Sequence, residues 1–369
     1  MSRNTYIFAG GGTGGHLYPG LAVAEALQVV DPAANIVFAC SRRTIDRRIL
    51  EPTGYVIVPQ PVLPLPGNPL KLPRFLAAWL RSQKVARDLL EDLQPHAVLG
   101  LGGFAAGPVI HASARRGRPT AMLNPDIVPG KANRFLARRV DVIFTQFAST
   151  SDCFAPELRP RVSTVGCPVR PTLLEGSRAE ALEHFPSLKP SRKTLLIFGG
   201  SKLAESITRA VIALADDFSS LADEWQMLFI VGSKMLDQAR DAFAGMAIDA
   251  EILEYCQRMD LAWALADLAL CRGGAGTVAE LSATGTPAVV MPYPHHKDRQ
   301  QYLNPGELVQ ARAAKVVEDR CDQALNAEAL RVELLPILRD AGSHAAMQAA
   351  AKTTARPHVA KDIAAWLIS

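Results

Sequence analysis

The sequence lacks the features that would place it in several special classes of protein. No run of about 18 uncharged apolar residues occurs, so no segment is predicted to span a membrane. The first residues lack a basic segment followed by a long apolar run, so no signal peptide is expected. The net charge of only +4 does not suggest nucleic acid as a partner, because chains that bind nucleic acid concentrate basic residues far more strongly.

Cysteine is sparse and scattered along the chain. The six cysteines include no C-x-x-C pair, so neither a zinc site nor a disulfide framework is predicted. We expect reduced, buried thiols in a cytosolic protein. The cysteines are Cys40, Cys153, Cys167, Cys256, Cys271 and Cys321.

The length and composition favour two folded domains. The 369 residues exceed one ordinary domain. Apolar residues make up 49% of the chain and charged residues 21%, which provides for large buried cores and does not suggest disorder.

A glycine-rich loop near the start is the most informative segment. Residues 10–20 read GGGTGGHLYPG and follow the apolar run Thr5–Ala9, which predicts a buried strand. Apolar residues then recur at helical spacing from Leu21 to Val30. A strand, a glycine turn and a helix N-terminus together form a typical phosphate site. The loop fits neither the dinucleotide fingerprint nor the Walker pattern.

His16 is the unusual residue in this loop. An imidazole beside a phosphate cradle suggests transfer chemistry next to a nucleotide. Two plainer interpretations stay open at this point. The glycines alone would also suit a tight turn, and a single histidine at this place often caps a helix or fills a core.

Strands alternate with helices through the whole chain, which predicts parallel sheets covered on both faces. The fold class is therefore α/β, with two Rossmann-like, doubly wound domains facing a cleft. The strands of the first series are predicted at Thr5–Ala9, Asn35–Ala39, Tyr55–Val58, Ala97–Leu101, Thr120–Leu123, Val140–Thr145 and Ser163–Val165. Those of the second are predicted at Lys193–Phe198, Met227–Val231, Ala250–Leu253, Leu268–Cys271, Ala288–Met291 and Ala314–Val317.

Further glycine turns follow other predicted strands. The segment Leu99–Pro108 serves either a ligand or close helix–strand packing, and the sequence favours neither. The second series opens with a similar turn at Ile197–Lys202. The segment Gly166–Pro171 is rich in residues that interrupt regular structure and is the natural linker.

Polar residues cluster near the end of the chain. Gly273–Gly276 follows a strand, Thr277 is the predicted start of a helix, and Glu280 lies one turn into it. Glu280 is placed to accept hydrogen bonds from a ribose diol or merely to favour the helix start. The polar run Asp298–Gln301 suits either a ligand or a solvated loop.

The order and spacing of these motifs resemble the MurG family of peptidoglycan glycosyltransferases. The matching segments are GGGTGGHLYPGLAVAEAL, GLGGFAAGP, GCPVR, FGGS, CRGGAGTVAEL and HHKDRQQYLN. The resemblance implies the glycosyltransferase B fold and transfer of N-acetylglucosamine from UDP-N-acetylglucosamine to lipid I, which yields lipid II. It implies an acceptor domain at residues 1–165, a donor domain at 166–345 and a C-terminal helix within 346–369 that can return to the first domain.

The resemblance also implies the substrate contacts. The first loop and His16 should lie near the donor diphosphate and the acceptor. Asn124 should contact a sugar, Met259 the uracil and Glu280 the ribose. The implied binding residues are Thr13, Gly14, Gly15, Asn124, Arg170, Ser201, Met259, Arg272, Gly274, Ala275, Gly276, Thr277, Val278, Glu280, Gln300 and Gln301.

The implied reaction inverts the anomeric carbon in one displacement. His16 is the candidate base for the acceptor 4-hydroxyl. The helix start at Gly276–Thr277, with Arg170, can stabilise the charge on departing UDP. Because no suitable Asp-x-Asp motif occurs, we expect no tightly bound metal and no cofactor.

The segment Asn68–Leu80 carries apolar residues beside basic ones and is predicted to form an amphipathic helix. Such a helix either packs on its own sheet or lies on an anionic membrane. The resemblance favours peripheral attachment to the cytoplasmic face of the membrane, where an undecaprenyl-linked acceptor would be met.

Some positions depart from the family pattern. Cys167 replaces an Asn in the linker, Leu203 replaces a Gly in the third glycine loop, and Thr208 stands where an Asn is usual. Met122–Leu123 replaces a polar pair, and the run from Gly273 to Gly276 is altered. Two alternatives therefore remain: a glycosyltransferase with another acceptor, and a UDP-N-acetylglucosamine 2-epimerase.

Overall fold

The structure is a computed structural model that describes residues 4–199, 205–295 and 298–369. The chain divides into two compact units. The first contains the residues up to Pro171 together with His358–Ser369, and the second contains Thr172–Pro357.

The first unit is built on a seven-stranded parallel sheet. Its strands are β1 (Thr5–Gly10), β2 (Asn35–Ser41), β3 (Val56–Gln60), β4 (Ala97–Gly102), β5 (Thr120–Asn124), β6 (Val142–Thr145) and β7 (Val162–Thr164). Their order across the sheet is β3-β2-β1-β4-β5-β6-β7. The winding therefore reverses between β1 and β4, which lie side by side.

Helices follow the strands of the first unit. They are α1 (Gly14–Val30), α2 (Thr44–Leu50), α3 (Leu72–Leu93), α4 (Gly107–Ala114) and α5 (Lys131–Leu136). The helix α1 begins inside the glycine loop, so His16 lies in its first turn. The helix α3 is preceded by a 3-10 turn at Pro69–Lys71, in which the Asn68 side chain accepts a hydrogen bond from the Leu70 amide.

The second unit has a six-stranded parallel sheet of the same winding. Its strands are β8 (Lys193–Phe198), β9 (Trp225–Ile230), β10 (Ala250–Leu253), β11 (Ala266–Cys271), β12 (Ala288–Val290) and β13 (Ala314–Val316). They are ordered β10-β9-β8-β11-β12-β13, so this winding reverses between β8 and β11.

Helices of the second unit cover both faces of its sheet. They are α6 (Arg178–His184), α7 (Glu205–Ile212), α8 (Ala215–Ser219), α9 (Leu236–Phe243), α10 (Met259–Leu265), α11 (Ala275–Thr284), α12 (Gln300–Leu303), α13 (Gly306–Gln310), α14 (Gln323–Glu333), α15 (Leu335–Arg339) and α16 (Ala341–Thr353). The last helix, α17 (Val359–Ile368), belongs to the first unit, where Ile363 and Leu367 join the core beside α1.

Successive side chains of β1 point to opposite faces of the first sheet, and each face is covered by a core. Tyr6 and Phe8 face the core that includes α1 and α17, while Ile7 and Ala9 face the core that includes α3 and α4. Both sets are fully buried, which explains why these strands read as continuous apolar runs rather than alternating ones.

The fold class predicted from the alternation of strands and helices is confirmed, and each of the predicted strands is present. The predicted start of the helix after Gly273 is wrong by two residues, because α11 begins at Ala275 with Gly274 as its N-cap. Among the described residues, no helix is long and apolar enough to cross a membrane. Nor does any disulfide join cysteines in that part of the chain.

Candidate functional site

The glycine loops occupy the carboxyl ends of the central strands in each unit. In open α/β sheets, ligands bind at the point where the winding reverses. In the first unit this point carries the loops after β1 and β4. In the second unit it lies between β8 and β11 and carries the glycine loop after β11. The described glycine loops among the predicted site residues therefore fall where the topology itself favours ligand binding.

A buried carboxylate holds the first glycine loop. Asp46 Oδ1 accepts a hydrogen bond from the Gly12 amide at 2.7 Å. Its Oδ2 accepts bonds from the Ser41 hydroxyl at 2.6 Å and the Ser41 amide at 3.0 Å. A Cβ at Gly11, where φ is +145°, would collide with this carboxylate. The loop thus requires glycine because its backbone lies against Asp46.

Sequence reasoning missed Asp46 and its neighbour Arg43. The Arg43 guanidinium donates to the Gly12 carbonyl oxygen at 3.1 Å, so both sides of one peptide group are fixed. Asp46 could not be recognised in the sequence because it lies in a short helix, α2, far from the loop in sequence. Only the parallel register of β1 and β2 brings them together.

His16 is held in a defined orientation by this loop. Its Nδ1 lies 3.3 Å from the Gly11 carbonyl oxygen and 3.1 Å from Thr13 Oγ1. A carbonyl oxygen only accepts, so the hydrogen belongs on Nδ1 and the lone pair on Nε2. Burial lowers the pKa of His16, and the Gly11 carbonyl with Asp126 and Asp46 offsets only part of this effect. The imidazole is therefore neutral at physiological pH and ready to accept a proton.

The second glycine loop makes room for His16. A Cβ at Gly103 would lie 3.0 Å from His16 Cε1, and one at Gly102 would lie 3.2 Å from His16 Cδ2. Both glycines have positive φ, of +94° at Gly102 and +72° at Gly103. Of the two roles open for this segment, close packing therefore has direct geometric support, and the residue it packs against is the candidate base.

The other predicted residues of the first unit are distributed around these loops. Thr13 is the N-cap of α1, and Gly14 and Gly15 form its first turn. Asn124 ends β5 and is buried, with its amide donating to the Asp126 carbonyl oxygen at 2.6 Å. Arg170 lies near the end of the unit, where its Nε is 3.9 Å from Glu25.

The loop after β11 packs tightly against α12. A Cβ at Gly273 would collide with the carbonyl oxygen of Gln301, and Asn304 donates to the Gly273 carbonyl oxygen at 3.1 Å. Gln301 in turn accepts a hydrogen bond from the Tyr293 amide at 2.9 Å. Two predicted binding segments, the glycine loop and the Gln300–Gln301 pair, are thereby brought together.

Arg272 lies beneath this loop in a buried network. Its guanidinium donates to Asp319 at 2.8 Å, to Ser206 at 2.7 Å and to the carbonyl oxygens of Met291 and Pro292 at 2.8 and 3.0 Å. Burial alone would raise the pKa of Asp319. Hydrogen bonds from Ser206, from the Cys321 amide and from Asn326 and Arg272 outweigh burial and hold that pKa below its usual value.

The Arg272 network connects four parts of the second unit. It joins the ends of β11 and β12 to α7 and to the segment after β13. Most of the guanidinium donors are already occupied by protein acceptors. Asp319 had no signal in the sequence, because it lies in a loop far from Arg272.

Glu280 lies one and a half turns into α11 and pairs with an indole. Its Oε2 accepts a hydrogen bond from Trp263 Nε1 at 3.0 Å, and Trp263 packs edge-on against Phe198 at 5.5 Å. Burial raises the pKa of Glu280 to about 7, although the indole bond opposes the shift. A carboxylate with so few partners is suited to accept further hydrogen bonds from a ligand.

The remaining predicted residues of the second unit lie near these elements. Met259 is the first residue of α10 and is partly buried. Gln300 and Gln301 open α12, after Arg299 at a positive φ of +50°. The first turn of α11 presents an exposed Gly276. Its other predicted members are Ala275, Thr277 and Val278. Ser201 lies outside the described residues.

No group of three or more His, Cys, Asp or Glu in the described part of the chain is arranged to hold a metal ion. The expectation of metal-free chemistry stays a prediction.

Comparison with protein families gives two matches along the chain. The model of the glycosyltransferase family 28 N-terminal domain matches residues 6–145. That of the glycosyltransferase family 28 C-terminal domain matches residues 194–363. The first match lies within the first unit, and the second covers most of the second unit and runs into α17 of the first.

Comparison with individual proteins and solved structures gives results consistent with these family matches. The UDP-N-acetylglucosamine–N-acetylmuramyl-(pentapeptide) pyrophosphoryl-undecaprenol N-acetylglucosamine transferase of an Anaeromyxobacter strain is 32% identical over 97% of this chain and 91% of its own. The crystal structure of Acinetobacter baumannii MurG superposes with a TM-score of 0.73 at 22% identity, covering 99% of both chains. The UDP-GlcNAc 2-epimerase of Neisseria meningitidis gives 0.68 at 14% identity, covering 100% of both chains, so it shares the fold alone.

We predict that Asp319→Ala destabilises the second unit by about 3–5 kcal/mol, because it leaves the buried Arg272 charge without its carboxylate. Urea denaturation measures the free energy of unfolding. The control is Glu224→Ala, which breaks the exposed ion pair with Lys193 and should cost at most about 1 kcal/mol. Equal losses in both variants would show that the Arg272 network does not stabilise the unit.

The raised pKa of Glu280 predicts that the stability of the protein depends on pH. The unfolded carboxyl loses its proton near 4.5, whereas the folded one holds it to about 7. Stability therefore falls as pH rises between these values, and Glu280→Gln should remove that fall. Thermal melting across this range measures the effect, with the exposed Glu183→Gln as control. A Glu280→Gln profile parallel to that of the unmodified chain would refute the raised pKa.

Proposed function

Because this chain belongs to the MurG family of glycosyltransferases, we propose that it transfers N-acetylglucosamine from UDP-N-acetylglucosamine to lipid I, forming lipid II. The acceptor is an undecaprenyl-linked muramyl peptide, and its 4-hydroxyl receives the sugar. The observation that carries this proposal is the relationship to the named transferase over 97% of the chain.

The donor is held by the second unit in this proposal. The N-terminus of α11 directs backbone N–H groups toward the diphosphate, and its dipole favours negative charge there. Glu280 accepts hydrogen bonds from the ribose hydroxyls. Gln300 and Gln301 bind the sugar hydroxyls, and the position of Gln301 against Gly273 keeps both parts of the donor site together.

The transfer itself is a single displacement. The acceptor oxygen attacks the anomeric carbon while the bond to the UDP oxygen breaks, so an α-linked donor gives a β-linked product. His16 Nε2 takes the acceptor proton, since the Nδ1 hydrogen is directed to the Gly11 carbonyl oxygen. The electron pair of the broken bond leaves with UDP, and the α11 N-terminus and Arg170 stabilise that charge. We propose that no tightly bound metal takes part.

UDP release by the purified protein tests this function directly. We expect release from UDP-N-acetylglucosamine only when a short-chain lipid I analogue is present. His16→Ala should lower turnover by about 10²–10⁴-fold, as expected for loss of a general base. The matched control is His184→Ala, which removes an exposed histidine at the end of α6 and should leave turnover unchanged.

Other outcomes would point to the alternatives. Release without any acceptor would support the epimerase reaction. Donor binding without release would require a different acceptor. Near-normal turnover of His16→Ala would remove His16 from the role of base.

We further propose that α3 attaches the protein peripherally to the cytoplasmic face of the membrane. One face of α3 packs on the unit through Ala78, Ser82, Ala86 and Leu90. Leu72, Leu76 and Leu80 recur at a spacing of one turn and are exposed, by 41%, 50% and 67%. Basic residues flank this exposed face, and the first acidic residue of the helix is Asp88. The basic residues are Lys71, Arg74, Arg81 and Lys84.

Co-sedimentation with lipid vesicles tests this attachment. Binding to phosphatidylglycerol vesicles should fall strongly in the variant Leu72→Gln/Leu76→Gln/Leu80→Gln, because apolar burial and charge attraction act together. The control variant Val29→Gln/Val56→Gln removes exposed apolar side chains elsewhere on the same unit. If both variants bind like the unmodified chain, α3 is not the attachment face.

A further inference from the structure

The indole of Trp263 donates a hydrogen bond to one oxygen of the Glu280 carboxylate and leaves the other oxygen open. Its Nε1–H is directed to Oε2 at 3.0 Å. The second oxygen, Oε1, accepts no hydrogen bond from any residue that the structure describes. Glu280 is half-buried, whereas Trp263 is only 3% exposed. Glu280 therefore has surface that a ligand can touch, and the indole has almost none.

Packing fixes the direction of the indole N–H. The Trp263 ring meets the Phe198 ring edge-on, with the ring centres 5.5 Å apart and the planes at 89°. Phe198 is the last residue of β8 and is itself buried. An aromatic side chain enclosed in this way keeps one orientation, because any other would displace its neighbours. The core of the second unit thus sets where the hydrogen bond to Glu280 points.

The helix that carries Trp263 is held at both ends by α6. Arg258, the N-cap of α10, donates to the Glu180 carboxylate at 2.7 Å. Arg178 donates to the carbonyl oxygen of Leu265, the last residue of α10, at 3.1 Å. Both partner residues lie on α6. The position of Trp263 therefore does not depend on a ligand being bound.

Few other groups act on the Glu280 carboxylate. In the described part of the chain, no charged side chain pairs with it. Cys271, at the end of β11, stays a neutral thiol, because burial and then the charge of Glu280 raise its pKa. Burial raises the pKa of Glu280 to about 7, and the bond from Trp263 opposes that shift. Among the described residues, the indole is thus the group that favours the ionised carboxylate.

We propose that Trp263 is a positioning residue that makes the donor site selective for a nucleotide with an intact ribose diol. The proposal rests on the donor role given to Glu280 above. The indole occupies Oε2 and orients the carboxylate, so that Oε1 faces the ribose hydroxyls. An ionised carboxylate only accepts hydrogen bonds, which suits a pair of hydroxyl donors. A nucleotide without these hydroxyls leaves the carboxylate short of donors, which weakens binding.

Calorimetric titration of the full chain with two nucleotides tests this role. UDP is compared with 2′,3′-dideoxy-UDP, which lacks both ribose hydroxyls. We expect the unmodified chain to bind UDP about tenfold more tightly or better, as for hydrogen bonds to a charged group. Trp263→Phe keeps an aromatic ring and loses the N–H, so it should remove most of this preference. The loss should fall on UDP, since the dideoxy nucleotide makes no bond to Glu280.

Two further variants isolate the contact. Trp225→Phe is the matched control, because Trp225 is a buried indole of the same unit that donates to the Leu338 carbonyl oxygen at 2.9 Å. It loses a comparable hydrogen bond without touching Glu280 and should keep the preference for UDP. In a Glu280→Gln background the preference should already be small, and adding Trp263→Phe should not reduce it further.

The pH dependence of the preference gives a readout that a purely structural role would not change. The preference for UDP should rise with pH through about 7, as Glu280 loses its proton. Both nucleotides carry the same diphosphate, so its own titration cancels in the comparison. In Trp263→Phe the rise should move to higher pH, because the bond that lowers the pKa of Glu280 is gone.

NMR of the indole hydrogens tests the contact in the unmodified chain and does not require Trp263→Phe to fold. The chain contains four tryptophans. One indole signal should titrate near pH 7 and should shift when UDP is added, but not when the dideoxy nucleotide is added. Glu280→Gln should abolish that titration, which also assigns the signal to Trp263.

The outcomes separate this proposal from the transfer proposed above. The role of Trp263 is overturned if Trp263→Phe keeps the preference for UDP, if it weakens both nucleotides equally, or if no indole signal follows Glu280. In these cases an unmodified chain that prefers UDP leaves the transfer intact. If the unmodified chain shows no preference for UDP, the donor role of Glu280 is wrong, and the role of Trp263 is wrong with it.

Discussion

The close approach of a glycine backbone to another segment at the ends of β4 and β11 is the constraint on which the candidate site depends. In the first unit, Gly102 and Gly103 leave room for the His16 ring. In the second, Gly273 lies against the Gln301 carbonyl oxygen, where no side chain fits. Each approach brings together two segments that are distant in sequence. The reversal of the winding brings the segments to the same edge of the sheet, and glycine allows them to approach closely there.

Buried charged groups then fix these loops. Asp46 holds the Gly12 amide in the first unit, and the Arg272–Asp319 pair holds the end of β11 in the second. Charges so deeply buried are costly unless paired, and both carboxylates are fully supplied with donors. The loops are therefore held in a fixed frame, which the proposed stabilisation of a leaving diphosphate requires.

The fold could be predicted from the sequence because buried parallel strands are simple to read. Runs such as Tyr6–Ala9 and Leu195–Phe198 are apolar on both faces and are followed by glycine. Helix starts were harder, since Gly274 caps α11 without a side chain and Thr277 was predicted as the first helical residue. The glycine loops and His16 were visible as motifs. Asp46 and Asp319 were not, because single acidic residues become meaningful only when the sheet register brings them to a loop.

The departures from the family pattern fall into two groups, those for which the structure gives a reason and those for which it gives none. Gly273 has a physical reason, namely the Gln301 carbonyl oxygen. Cys167 is buried, and Met122 and Leu123 lie inside β5, where apolar side chains suit the core. Nothing in the structure explains Gly276, which is exposed and has open space around it. The glycine loop after β11 thus follows the constraint above, whereas the other departures lie outside it.

The configuration of the product tests the central claim most directly. The protein is incubated with UDP-N-acetylglucosamine and a lipid I analogue, and the anomeric proton of the new disaccharide is examined by NMR. A single displacement assisted by His16 predicts a β-linked N-acetylglucosamine on the muramyl 4-hydroxyl. An α-linked product, or a 2-epimer of the donor without any disaccharide, would contradict the account.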